Sequence, residues 1–163
     1  MTYPKISIIT PSFNQGQYLE QTIFSVIGQM YPNLEYIIMD GGSTDNSVDI
    51  IKKYEKHITY WVSEKDGGQA AAINKGFEMA TGDILAWLNS DDYFLPGTLD
   101  YISKTVDIKK PHLVFGNVLH YTMESERTFG SNVLDNSKTK NFTLCDYIIQ
   151  PGTFWSKQLL EKN

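Results

Sequence analysis

Residues 86–92 read Ala86-Trp87-Leu88-Asn89-Ser90-Asp91-Asp92 (AWLNSDD), and the reading of this stretch decides the fold. The apolar run over 84–88 has the length and composition of a buried strand. It stops abruptly in four polar residues, the last two of them adjacent carboxylates. Neighbouring carboxylates repel unless they accept hydrogen bonds or share a cation. Alone, the pair reads equally well as a polar turn that starts a helix. What stands upstream separates the two readings.

Three earlier runs have the same strand character: 5–10 (KISIIT), 34–39 (LEYIIM) and 57–62 (HITYWV), while 113–121 (LVFGNVLHY) reads as a fifth strand. Helical spacing lies between them. Leu19, Ile23, Val26, Ile27 and Met30 form one apolar stripe, closed by Pro32. Val48, Ile51 and Tyr54 form a second, with Asn46 as its cap and Asp49 as a weak capping-box partner. After Gly67 and Gly68 an alanine-rich helix turns Ile73, Phe77 and Ala80 inward until Gly82. Pro96 and Gly97 open another, predicted to run to about residue 109. Strands alternating with helical crossovers predict an α/β fold, a mostly parallel sheet with helices on both faces. Residues 11–16 are predicted to be a loop.

In an open parallel sheet, ligands bind beyond the carboxyl ends of the strands. Those ends carry Pro11-Ser12-Phe13-Asn14, Asp40-Gly41-Gly42-Ser43, Glu64-Lys65-Asp66-Gly67-Gly68 and Asn89-Ser90-Asp91-Asp92. Three of the four bear carboxylates, which places Asp40, Asp66 and the Asp91–Asp92 pair on one rim and favours a ligand site over a plain turn. Hard oxygen ligands suit magnesium, manganese or calcium. A divalent ion held by Asp91 and Asp92 would let an acidic protein take a phosphate-containing ligand.

Bulk properties agree. The chain has 163 residues, 41% hydrophobic and 13% aromatic, enough for one domain with a real core. Its net charge of −5 offers no footprint for nucleic acid. Cys145 is the only cysteine, which excludes an intrachain disulfide and suits a reduced, cytoplasmic setting. No run reaches membrane-spanning length, and the glycosylation sequon at Asn141-Phe142-Thr143 reads as chance. His57, His112 and His120 lack metal-ligand spacing. Neither a Gly-x-Gly-x-x-Gly fingerprint nor a Walker A sequence follows the first strand. The terminal 156–163 (SKQLLEKN) reads as a helix beginning, so the chain is expected to be a piece of a longer protein.

The order and spacing of SIITPSFNQGQYLEQTIFSVIGQMYPNLEYIIMDGGSTDNSVDII and EKDGGQAAAINKGFEMATGDILAWLNSDD resemble the nucleotide-binding half of bacterial family 2 glycosyltransferases, with the GT-A fold; QPGTFWSK at 150–157 resembles a later segment. The resemblance implies one GT-A catalytic domain over 1–163, truncated at its C-terminus. Residues 1–100 would bind a nucleotide sugar, and 110–163 would begin the acceptor-binding half. It further implies an inverting, metal-assisted transfer from a nucleotide-diphosphate donor, by family habit a UDP-sugar, to a glycan or lipid-linked acceptor in polysaccharide synthesis. Manganese or magnesium would be the cofactor, and the setting the cytoplasm, at the inner face of the membrane and peripherally associated with it.

Carried over residue by residue, the resemblance matches Asp40 to the aspartate that hydrogen-bonds the base. Pro11, Ser12 and Phe13 match the loop lying against that base, and Gly42, Asp66 and Asn74 fall in the donor-binding segments. Asn89, Ser90 and Asp91 occupy the Asp-x-Asp position, with Asp91 and Asp92 toward the metal. Asn89 stands where the family's first aspartate stands, Gly41 replaces a second aspartate, and Ile73 stands where many members carry arginine. The catalytic base is expected beyond Asn163; Asp146 and Glu161 have no motif around them. Two other readings share the sheet: a nucleotidyltransferase, which would want a basic glycine-rich signature after the first strand, and a nucleotide-sugar-binding module without catalysis.

Overall fold

The computed structural model describes residues 2–121, 128–130 and 150–160. Cys145, Asp146, Glu161 and the sequon at 141–143 lie outside them. Six strands form one sheet in the order β3-β2-β1-β4-β8-β5. They are β1 (Ile6–Ser12), β2 (Leu34–Asp40), β3 (Tyr60–Ser63), β4 (Ile84–Trp87), β5 (Leu113–Phe115) and β8 (Thr153–Ser156). The first four run parallel, and β8 pairs antiparallel with both β4 and β5. A separate hairpin joins β6 (Leu119–Tyr121) to β7 (Thr128–Gly130).

Helices cover both faces, because each central strand is apolar on both sides. Ile6, Ile8, Tyr36, Ile38, Ile84 and Ala86 point to one face. There they meet Leu19, Ile23 and Val26 of α1 (Gly16–Ile27), Ile50 and Ile51 of α2 (Ser47–Tyr54), and Leu99 and Ile102 of α4 (Thr98–Thr105). The alternate residues Ile9, Ile37, Met39 and Leu85 point to the other face, onto Ala72 and Phe77 of α3 (Gln69–Met79) and onto Trp155 of β8. Gly76 lets α3 lie close on β1: an added Cβ would stand 2.5 Å from Ile9 Cγ2.

Several boundaries differ from the sequence reading. Met30 is 87% exposed, because α1 ends at Ile27 and residue 30 takes a left-handed φ of 49°. The third strand starts at Tyr60, after a short 3-10 turn over Glu55–His57. The last crossover helix stops at Thr105. On α3 the fully buried positions are Ala72 and Gly76, with Ile73 and Phe77 only half-buried. The run 113–121 is two strands: β5 stays in the main sheet, and β6 leaves it. An apolar run does not say which partner its backbone will find.

The predicted loop at Pro11 and Ser12 is strand. The Ile9 carbonyl accepts from Leu88 N–H on the β4 side, and the Ser12 carbonyl accepts from Gly41 N–H on the β2 side. Alternation therefore turns Pro11 toward β4, where the ladder has already ended at Ile9–Trp87. The N–H that proline lacks would have had no partner there, so proline costs the sheet nothing.

At the opposite, amino end of the sheet sits a buried polar knot. Glu35, only 5% exposed, accepts from Lys5 Nζ (2.6 Å), Ser7 Oγ (2.5 Å), Thr81 Oγ1 (2.6 Å) and Thr81 N–H (2.7 Å). Burial alone would raise its pKa, but the hydrogen bonds from Lys5, Ser7 and Thr81 outweigh it and hold the carboxyl at about 2.

Candidate functional site

The chain runs from β1 outward to β2 and β3, then crosses to β4 on the other side of β1. Beyond Ile9–Trp87 the two central strands part. A sheet with such a reversal opens a crevice at the carboxyl ends of the strands on either side of it. Here that crevice is a cleft of about 720 Å³. Its walls are Pro11, Ser12 and Phe13 from β1 and the turn after it, Gly41 and Gly42 after β2, and Asn89, Ser90 and Asp91 after β4. Lys65, Asp66 and the first turn of α3 close the remaining side. Eight of the predicted site residues thus come together: Pro11, Ser12, Phe13, Gly42, Asp66, Asn89, Ser90 and Asp91.

Asp40, Asn74 and Asp92 are not among the lining residues. Asp40 is 2% exposed, and its carboxylate is engaged in its own turn. One oxygen accepts from Ser43 Oγ (2.5 Å), the other from Gly42 N–H (3.2 Å), Ser43 N–H (2.9 Å) and Ser63 Oγ (2.6 Å). This carboxylate shapes the glycine turn that faces the cleft. Gly42 sits at φ +82°, in the left-handed region that favours glycine. Beside it, a Cβ on Gly41 would lie 3.2 Å from Asp66 Oδ2. Asp66 therefore fills the space next to the position where the family resemblance expects a second aspartate. Asn74 is exposed farther along α3.

The first turns of α1 and α2 are braced against each other beside the cleft. Asn14, at a left-handed φ of 52°, donates its N–H to Ser43 Oγ (2.8 Å) and accepts at Oδ1 from Thr44 N–H (2.8 Å). Asp45 accepts from Gly16 N–H (2.9 Å) and Ser47 N–H (3.0 Å), so Asp45, and not the side chain of Asn46, satisfies the start of α2.

The β4 loop is stapled to α1. Thr22 Oγ1 donates to the carbonyls of Ser90 (2.9 Å) and Asp92 (2.8 Å). Ser25 Oγ accepts from Phe94 N–H (3.1 Å), and Gln29 Nε2 donates to the Leu95 carbonyl (3.0 Å). The sequence reading missed these three. Their signal was a polar series at 22, 25 and 29, the spacing of one helix flank, carried past the end of α1 at Ile27. It also passed over Gln150, whose Oε1 accepts from Asn89 Nδ2 at 2.9 Å, and Lys65, the one cation among the described residues that line the cleft.

Among the described residues Ser12 Oγ, in a residue of the cleft wall, is buried without a hydrogen-bond partner. As to a metal, no group of three or more His, Cys, Asp or Glu side chains gathers among the described residues. Of the two lining carboxylates, Asp66 and Asp91, Asp91 with Asp92 beside it would suit an ion completed by a ligand's phosphates and water, the usual pattern for magnesium. The residues present fit a shared ion of that kind.

Fold and cleft together define a Rossmann-like α/β protein with a ligand crevice at its switch point. Residues 7–158 match glycosyl transferase family 2, and the chain belongs to that family. It is 45% identical over 94 residues to the putative teichuronic acid biosynthesis glycosyltransferase TuaG of Bacillus subtilis, covering 55% of this chain and 36% of that one. An uncharacterized glycosyltransferase of Nostoc is 31% identical across 93% of this chain and 47% of its own length. The chain thus spans less than half of either relative. Among solved structures, Staphylococcus aureus TarS 1–349 in complex with UDP superposes with a TM-score of 0.74 at 21% identity, over 98% of this chain and 48% of that 1–349 chain. The Pyrobaculum calidifontis mannosyltransferase in complex with GDP-Man and Mn2+ gives 0.70 at 18% identity, over 99% and 47%. The fold is therefore GT-A.

Proposed function

We propose that this chain forms the donor-binding part of a glycosyltransferase that takes a sugar from a nucleoside diphosphate, UDP by preference, and passes it with inversion to a glycan or lipid-linked acceptor. The observation that carries the reading is the cleft where four strand ends converge, with Lys65, Asp66 and Asp91 in its walls. The Ser12 hydroxyl in that wall has no hydrogen-bond partner among the described residues, a deficit that a ligand's polar group would relieve. Around it, Phe13, 59% exposed, offers an aromatic face to a base, and the glycine turn held by Asp40 lets a nucleoside approach the backbone. The first turn of α3 brings helix N–H groups to the cleft, and Lys65 adds a positive charge; both favour a diphosphate. That likeness to enzymes solved with UDP, UDP-GlcNAc and GDP-Man supports the same class of donor.

Asp91, with Asp92, would hold a divalent ion, which when bound supplies charge stabilisation for a departing nucleoside diphosphate. The protein's own part is positioning. Thr22 fixes the backbone of the Ser90–Asp92 turn, and Ser12 and Phe13 fix the nucleoside.

Thermal unfolding with UDP, GDP, dTDP and NAD, each with manganese or with chelator, tests the reading. A ligand at about 100 times its Kd stabilises the native state by about 2.7 kcal/mol. UDP with manganese should raise the melting temperature, and chelator or Asp91→Ala should abolish the rise. No response to any nucleoside diphosphate, or a metal-independent rise with NAD alone, overturns it.

A further inference from the structure

Gln150 does not itself line the cleft, yet it grips one of its walls from behind. Its Nε2 donates to the Trp87 carbonyl at 2.6 Å, and its Oε1 accepts from Asn89 Nδ2 at 2.9 Å. Asn89 accepts in turn at Oδ1 from Gln69 Nε2 (2.9 Å) and donates a second time, to Asp92 Oδ2 (3.1 Å). Three amides form a chain across the mouth of the cleft, from α3 through the β4 loop to the turn before β8.

Both ends of this chain have only one chemical option. A backbone carbonyl only accepts, so Gln150 must aim its NH2 at Trp87 and its oxygen at residue 89. An ionised carboxylate only accepts, so residue 89 must aim a donor at Asp92. The two constraints, arriving from opposite sides, demand the same thing of position 89: a group with N–H on the side that faces Gln150 and Asp92. Asparagine meets that demand. Aspartate would set an oxygen against Gln150 Oε1 and against Asp92 Oδ2, and Gln150 could not turn its amide round without opposing its own oxygen to the Trp87 carbonyl.

We propose that Gln150 is a positioning residue of the rim: it takes its orientation from the Trp87 carbonyl, requires an amide at position 89, and through Asn89 holds the Asp92 carboxylate in place. The asparagine of Asn89-Ser90-Asp91, where the family resemblance leads one to expect aspartate, follows from a glutamine 61 positions away. Only the consequence for nucleotide binding rests on the donor reading above; the amide chain does not.

The test is a double-mutant cycle in chelator, with wild type, Asn89→Asp, Gln150→Met and the double variant. Methionine keeps the length of glutamine and lacks both hydrogen-bonding groups. Asn89→Asp should lower the melting temperature by about 5 °C in the native background and by no more than half of that beside Gln150→Met. Equal losses in both backgrounds overturn the proposal. The side-chain NH2 resonances of Asn89 give a readout that does not depend on Asn89→Asp folding. They should shift in Gln150→Met, and unmoved resonances overturn the proposal. Titration of UDP with manganese is the third arm: Gln150→Met should weaken binding about fivefold, and unchanged affinity beside a binding wild type overturns the positioning role. A wild type that binds no nucleotide removes the donor reading alone, and the melting cycle and the resonances still decide the amide chain.

Discussion

Thr22, in the middle of α1, donates its hydroxyl to the backbone carbonyl of Asp92, 70 residues away, at 2.8 Å, and shares it with the carbonyl of Ser90 at 2.9 Å. It is 1% exposed, and no water is needed to satisfy it. A helix whose inner face otherwise packs as apolar core thus fixes the backbone of the loop that carries the carboxylates. Thr22→Val keeps the shape and removes the donor. It takes a donor from the buried Ser90 carbonyl and the part-buried Asp92 carbonyl and should cost about 1–3 kcal/mol in urea unfolding. The manganese-dependent melting rise with UDP should shrink with it; a variant of wild-type stability and wild-type response would show that the loop does not lean on Thr22.

Ser12→Ala should separate stability from binding in the opposite sense. Its hydroxyl is buried without a partner, so its removal leaves the free protein unchanged within about 0.5 kcal/mol, or more stable. Calorimetric titration should nonetheless show weaker UDP binding. A clear loss of stability in the free protein would mean that the hydroxyl already has a partner.

Gly76→Ala tests the contact of α3 with β1. The new methyl group would meet Ile9 Cγ2 at 2.5 Å, far inside van der Waals contact. Overpacking at such a place costs about 1–3 kcal/mol, against the small gain in helix propensity from replacing glycine. Chemical denaturation of the variant reads the balance directly, and a stabilised variant would contradict this packing.

Glu35 sets the behaviour in acid. Its folded pKa of about 2 lies below its ordinary value of 4.5, so the knot with Lys5, Ser7 and Thr81 contributes fully above the unfolded value. That contribution, on the order of 3 kcal/mol, is lost as pH falls from about 5 toward 2. Urea midpoints measured between pH 7 and pH 3 should fall for the wild type. They should fall less for Glu35→Gln, which starts lower; parallel curves would assign the acid sensitivity elsewhere.

Much of the cleft was legible in the chain. Buried strands read as short apolar runs, and the polar residues that end them mark the rim; this brought Ser12, Phe13, Asp66, Asn89 and Asp91 to one cleft before any coordinates. Asp40 shows where that reasoning stops. Its place at the end of β2 was plain, but that its oxygens bond Gly42 and Ser43 of its own turn and Ser63, 23 residues away on the neighbouring strand, was not. Gln150 was invisible for a like reason, since the Trp87 carbonyl it acts on carries no sequence signature, and Thr22 left only the polar spacing it shares with Ser25.

The sequence by itself determined the alternation of strands and helices, the faces they bury and the strand ends that carry polar chemistry, because hydrophobic periodicity and turn residues act over a few neighbours. Only the tertiary structure decided that 113–121 divides between two sheets, that Pro11 continues β1, and that the amide of Asn89 is held by Gln69, Gln150 and Asp92. Each depends on a hydrogen-bond partner tens of residues distant, and directional bonds of that kind are specified by where the sheet places the backbone, not by the residues on either side.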